Sequence, residues 1–212
     1  TEVRAESAMS FNQGKSAAAA MVEVEHHSGK VDFIAYARVA EVEFGLGQEN
    51  GAERGRRKVG VDAQLRITPD LSVATSVWHD DSLTDGARRF ALQSAVTWRT
   101  RHAEARLAFS HFDDKLADGR EAKSDVVEAS VTRRFLDNRL ELSASTSVAI
   151  NKPESVDLPE RHRLTARYAV NSDVKLVGSY EIANGETIDA RTGQLGVEVA
   201  PWSGGRITTS LG

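Results

Sequence analysis

The sequence contains no cysteine, so neither a disulfide framework nor a cysteine-ligated metal site is open to it. It contains no run of about 18 apolar residues, which excludes a helical membrane span, and its mean hydropathy is -0.38. A β-barrel is not excluded, because half of every barrel strand is polar. Proline is scarce, with four residues. All of them fall between or at the ends of segments that read as strands, as expected where the rest is sheet. No sign of charge dominates: the formal net charge is -4, which gives no reason to expect nucleic acid as a partner. Aromatic residues make up 6%, sparse for a barrel that should carry girdles at both membrane interfaces. Trp78, Trp98, Phe109, Phe112, Phe135, Tyr168, Tyr180 and Trp202 read as lying near strand ends or in the outer parts of strands.

What is present is alternation. Between residues 88 and 112, Phe90, Leu92, Val96 and Trp98 share one parity, and Arg89, Gln93, Thr97 and Arg99 share the other. A polar turn follows at Thr100-Arg101-His102. The chain then returns with Ala103, Ala105, Leu107 and Phe109 against Glu104, Arg106, Ala108 and Ser110. Side chains of a strand alternate faces, so this is a β-hairpin with one apolar and one polar face. The unit recurs along the chain. The cleanest strand sets Val59, Val61, Ala63, Leu65 and Ile67 against Lys58, Gly60, Asp62, Gln64 and Arg66. Further alternating segments run over residues 18–26, 31–39, 71–77, 127–132, 140–150, 164–170, 174–182 and 195–199, with a last one at 206–212.

The fold class expected is all-β: an antiparallel up-and-down meander of about 12 strands, forming a transmembrane β-barrel or an open part of one. The connections are expected to alternate strictly between short and long, with long ones at 40–56, 79–87 and 113–124. An outer-membrane barrel has short periplasmic turns and long outer loops. Residues 1–212 read as one barrel region. The chain starts at Thr1 with no charged-then-apolar leader, residues 1–6 already alternate, and 206–212 read as a strand with nothing after it. The expectation is a fragment of a larger barrel.

The polar parity carries Lys58, Asp62, Arg66, Arg89, Arg99, Glu104, Arg106, Glu128, Arg134, Glu141, Arg163, Arg167, Lys175, Glu181 and Glu198. These are the candidate lumen-lining residues. They could line a solute pathway or form cross-strand pairs that stabilise the wall. Charges on the apolar parity, such as Arg57, Arg133 and Arg191, sit at strand ends, where they can reach the interface.

Asp80-Asp81-Ser82-Leu83-Thr84-Asp85-Gly86 is echoed by Asp113-Asp114-Lys115-Leu116-Ala117-Asp118-Gly119. The offset is one hairpin unit, as hairpin duplication would give. Asp80, Asp81, Asp85, Asp113, Asp114 and Asp118 are therefore candidate calcium ligands, since a hard cation takes several oxygens. Against that stands the simpler reading that Asp-Gly supplies the positive φ of a loop tip. Neither copy has the spacing or terminal Glu of an EF-hand. His26, His27, His79 and His111 fall on different hairpins and make no metal-binding spacing. Gly45-Leu46-Gly47 lacks the third glycine of a nucleotide-binding turn. No Gly-x-Ser-x-Gly nucleophile elbow occurs. No catalytic residue and no cofactor is implied.

Strands such as Arg163-Leu164-Thr165-Ala166-Arg167-Tyr168 and Glu141-Leu142-Ser143-Ala144-Ser145 resemble those of Gram-negative outer-membrane β-barrels, the large porin and TonB-dependent-receptor kind. That resemblance implies an outer-membrane location, outer-membrane lipid as a partner, insertion by the barrel-assembly machinery, and a small solute in the lumen. The expected role is a structural wall or a pore for passive or receptor-type transport, not an enzyme. The alternative from another class is a soluble or surface β-sheet module for binding, such as an adhesin, with the apolar face buried against a second sheet. A third reading is an outer-membrane enzyme with a nucleophile-base pair among the outer loops.

Overall fold

The structure, a computed structural model, describes residues 1–12, 14–45, 54–150, 160–185, 189–200 and 207–211. Alternation becomes β-strand throughout. In chain order the strands are β1 (Glu2–Asn12), β2 (Lys15–His27), β3 (Val31–Ala40), β4 (Arg56–Arg66), β5 (Leu71–Ser82), β6 (Arg88–Arg99), β7 (Ala103–Lys115), β8 (Glu121–Phe135), β9 (Leu140–Ala149), β10 (Glu160–Ala169), β11 (Val174–Asn184), β12 (Asp189–Val199) and β13 (Ile207–Leu211). They form one sheet in the order of the sequence, β1 through β13. Every pairing with a resolved register is antiparallel. Among the described residues there is no helix.

The count is thirteen rather than about twelve. The first two strands form the β1–β2 hairpin, closed where Asn12 faces Lys15 and Gly14 takes φ +81°, a backbone that glycine adopts without strain. Alternation is legible at 1–6 and 18–26; the start of β2 is not, because Ala17 to Ala20 carry no apolar–polar contrast.

Three strands also outrun their expected ends. β5 continues to Ser82 and β7 to Lys115, while β8 begins at Glu121. The connections after β5 and β7 are thereby short, 83–87 and 116–120, and strict short–long alternation fails there. At β5 the physical reason is cross-strand charge. Arg57 faces Asp81 in register and pairs with it, Arg56 pairs with Asp80, and opposite charges across a ladder extend the pairing. The remaining candidate features at Leu46, Gly47, Pro153, Pro159, Trp202 and Arg206 lie outside the described residues.

The strands group into two compact units: Thr1–Ala95 with Ser110–Asp125, and Val96–Phe109 with Val126–Gly212. In the first, Val3, Val22, Val31, Val59, Val61 and Leu65 are exposed on one parity. Ser10, Ala17, Glu23, Ala91, Ala95 and Ala122, on the opposite parity, are buried. In the second unit, Val96, Leu107, Val131, Leu142, Leu164 and Leu195 are exposed, and Ala108 and Ala183 on the polar parity are buried. In both units the large aliphatic side chains are exposed on one parity and most of the few buried side chains lie on the other, the inverse of a water-soluble sheet.

Trp98, Phe135 and Tyr168 stand on the apolar parity of the second unit, close to the tight turns at 100–102, 136–139 and 170–173. Trp78 and Phe112 do not belong to such a belt. Trp78 faces Gly60 on the polar face, and Phe112 shares the parity of Asp114.

Candidate functional site

On the polar face of β1–β5 the register aligns two rows. One runs Glu6, Met21, Arg38, Lys58, Asp80, and the next runs Arg4, Glu23, Tyr36, Gly60, Trp78. Gly60 is what lets the second row form: a Cβ there would come 2.6 Å from Tyr36 Oη and 2.8 Å from Trp78 Cβ. A mid-strand glycine marks such a close approach. Lys58 Nζ then sits 4.7 Å from the Trp78 ring centroid and 5.9 Å from that of Tyr36. The Arg38 guanidinium also lies over the Tyr36 ring, 5.1 Å from its centroid. Ring quadrupoles hold cations in this way.

The neighbouring charges are mostly paired. Arg38 Nη2 donates to Glu23 Oε2 at 3.1 Å, and Arg4 stands 3.7 Å from the same carboxylate. Arg56 Nε donates to Asp80 Oδ1 at 3.0 Å. Lys58 has no ion-pair partner among the described residues. Arg38 Nε is buried there without an acceptor, and buried donors normally have one. Arg38, Arg54, Arg56 and Lys58 line one cavity of about 470 Å³ with Glu6 and Asp80. Its wall is completed by Phe44, which is 3% exposed. Residues 41–45 reach that position because Glu41 N donates to Ala18 O, Glu41 Oε2 accepts from Ala18 N, and Gly45 N donates to Ser10 Oγ. The result is a small concave site with surplus positive charge on an otherwise neutralised wall.

Elsewhere the candidate lumen residues divide clearly. Arg89 donates twice to Asp114, at 2.6 and 2.7 Å. Arg99 pairs with Glu104 at 2.6 Å, Arg106 with Glu128 at 3.7 Å, and Arg66 with Asp32 at 3.5 Å. Glu141 accepts from Arg134 at 3.0 Å and Arg167 at 3.3 Å, and Arg167 reaches Glu198 at 3.9 Å. Arg163 pairs with Glu181. Among the described residues, Lys58, Asp62 and Lys175 of that set take no ion pair. Most of these charges therefore brace neighbouring strands.

The two aspartate-rich copies are used alike. Asp81 accepts from Arg57 at 2.6 Å and is 2.7 Å from His79 Nε2. Asp113 pairs with Lys123 at 3.0 Å. Asp85 caps its turn by accepting from Ala87 N, and Asp118 accepts from Arg120 N. Gly86 and Gly119 follow with φ +74° and +84°. The Asp85 carboxyl is held below the ordinary aspartate range, first by the Ser82 hydroxyl and then by the Ala87 N–H. The Asp118 carboxyl is held low by the Arg120 N–H and guanidinium. Among the described residues, no three His, Asp or Glu side chains stand together as a metal-binding group would require.

Tyr36, Arg38, Arg54 and Arg56 were not among the sequence candidates. The available signal was a glycine in the middle of the cleanest strand, with aromatics at polar parity on both neighbours.

No family model matches the chain, and no curated protein matches it. Solved structures do. The chain is similar to a refined porin structure, with a TM-score of 0.63 at 13% identity, over 91% of this chain and 62% of that one. It is similar to a loop-deletion mutant of OmpT, an outer-membrane protein of Vibrio cholerae, with a TM-score of 0.61 at 11% identity, over 84% of this chain and 61% of that one. It is also similar to an anion-selective porin from Comamonas acidovorans, with a TM-score of 0.57 at 12% identity, over 93% of this chain and 61% of that one. The chain thus has the fold of part of a porin barrel and spans about three-fifths of the length of these structures.

Proposed function

We propose that the chain is a wall of an outer-membrane pore, with its apolar face in lipid, its polar face toward a water-filled lumen, and passive passage of small solutes as its activity. One observation carries this reading: among the described residues the large aliphatic side chains are exposed on a single parity, while the opposite parity carries half-exposed charges joined in cross-strand pairs. Water-soluble proteins rarely expose contiguous apolar patches beyond a few hundred Å². A soluble two-sheet module would bury that face against a second sheet; the described strands form one sheet. The porin likeness supports the location and the pore. Receptor-type uptake has no comparable support, since two of the three structures above are porins and none is named as a receptor.

The cavity at Lys58 adds a preference. Its surplus cation favours anionic solutes over cationic ones of the same size. Planar-bilayer recording of the purified protein under a salt gradient tests both claims. Stepwise conductance with a reversal potential on the anion side is the expected result. Insertion without conductance contradicts the pore, and a reversal potential on the cation side contradicts the preference.

A further inference from the structure

The apolar face of β8–β13 is not flat. In register, Arg133, Leu142, Ala166, Gly178, Leu195 and Leu211 form one row across it. Ala166 and Gly178 leave a depression in that row. The adjoining row raises its edge with Leu164 and Tyr180, where Tyr180 faces Gly193. A Cβ on Gly178 would already stand 3.3 Å from Leu195 Cδ2, so the floor is as low as the packing allows. The groove is about 1040 Å³ and its exposed lining is overwhelmingly apolar.

One end of this groove is cationic. Arg133 lines it and extends over the Phe135 ring, 5.1 Å from the centroid, toward the turn at 136–139. Arg139, in that turn, lies 5.5 Å over the Tyr168 ring and donates to Tyr168 Oη and to the carbonyls of Ala169 and Val170. Neither guanidinium has a carboxylate partner among the described residues, in a wall where most arginines do. Both guanidinium groups lie over aromatic rings, Arg133 in the groove's lining and Arg139 in the turn that follows β8.

We propose that this groove binds one anionic glycerophospholipid, with its acyl chains along the Ala166–Gly178 depression and its phosphate between Arg133 and Arg139. The occupant follows from charge complementarity: guanidinium donors, the Arg133 fork and the Arg139 Nη1 that its other hydrogen bonds leave over, bond phosphate oxygens more strongly than neutral donors do. Tyr168 and Phe135 place that phosphate at headgroup depth. The site rests on the bilayer reading above, and it makes the leaflet at the tight-turn end the one that is recognised.

Native mass spectrometry of the purified protein, released from nanodiscs of phosphatidylcholine mixed with phosphatidylglycerol, tests it. Wild type should retain phosphatidylglycerol in preference to phosphatidylcholine. Arg133→Gln combined with Arg139→Gln should lower that preference by about tenfold, the equivalent of one charge-assisted hydrogen bond. Gly178→Leu, which fills the groove and leaves both arginines, should reduce retention of either lipid. Equal retention of the two lipids by wild type overturns the proposal, as does a preference unchanged in the double variant. A preference for lipopolysaccharide over phosphatidylglycerol, or a lipid-free oligomer that covers the groove with a second copy, overturns it too. Failure to enter nanodiscs at all is a separate outcome, and it removes the bilayer reading along with the site.

Discussion

Tyr36 lies across Gly60, so closely that a Cβ at that glycine would come 2.6 Å from the phenol oxygen. The contact positions the ring that supports Lys58 and Arg38. Gly60→Ala should force the ring off the wall and lower stability by about 1–3 kcal/mol, the usual penalty of overpacking. A denaturant midpoint in detergent or lipid equal to that of wild type contradicts this account of the glycine.

Lys58 lines the cavity of the first unit and takes no ion pair among the described residues, because Asp80, its neighbour across the ladder, pairs with Arg56. A unit charge at about 4 Å in water contributes roughly 1 kcal/mol, equivalent to about fivefold in relative permeability. Lys58→Gln should therefore lower the anion-to-cation permeability ratio by about that factor, and Lys58→Glu by more. Reversal potentials of the two variants that match wild type would show that solutes do not pass this side chain.

Much of the wall is legible in the sequence. Val59 to Ile67 alternate without interruption, and a period of two admits no other element. The faces are legible as well, because parity alone assigns them. Register is not. Nothing local in Asp80-Asp81 says that Lys58 and Arg57 stand opposite, so the strand runs past its expected end. Ala17 to Ala20 give no contrast and hide where β2 begins. Tyr36 and Trp78 are far apart in sequence, and only pairing through β4 brings them together over Gly60. Long-range pairing decides such sites, and hydrophobic pattern specifies it only as a choice of face.

The β8–β9 turn carries strain. Leu136, Asp137 and Asn138 take φ of 52°, 53° and 68°. Asp and Asn visit the left-handed region readily; a leucine there costs roughly 1–2 kcal/mol. Leu136 is 62% exposed, so little packing offsets that cost. Leu136→Gly should stabilise the fold by up to about 1 kcal/mol. The measurement is the unfolding midpoint; a destabilised variant would reveal an unseen role for the leucine side chain.

Glu141 joins three strands by accepting from Arg134 on one side and Arg167 on the other. Partly exposed pairs are each worth about 0–1 kcal/mol. Glu141→Gln should thus cost about 1 kcal/mol, and the loss should shrink as ionic strength rises. A double-mutant cycle with Arg134→Gln should show coupling; strict additivity contradicts the bridge.

The caps at Asp85 and Asp118 make the loop end acid-sensitive. Both carboxyls are held below their ordinary range when folded. A depressed folded value means that the stabilisation is complete above the ordinary aspartate value and is lost as pH falls through the folded one. Carboxylate NMR should therefore give midpoints below that of an ordinary aspartate for both residues, and Asp85→Asn should flatten the acid limb of stability. Midpoints at or above the ordinary value contradict the capping geometry.

The central claim is that odd and even residues of β4 face different solvents. The absence of native cysteine makes a single-cysteine scan of this strand direct. Cysteines at positions 58, 59, 61, 62, 64 and 65 in the membrane-embedded protein are treated with a charged, membrane-impermeant thiol reagent. The account predicts reaction at 58, 62 and 64 and protection at 59, 61 and 65. Protection of the even positions with reaction at the odd ones, or a uniform response along the strand, would contradict it.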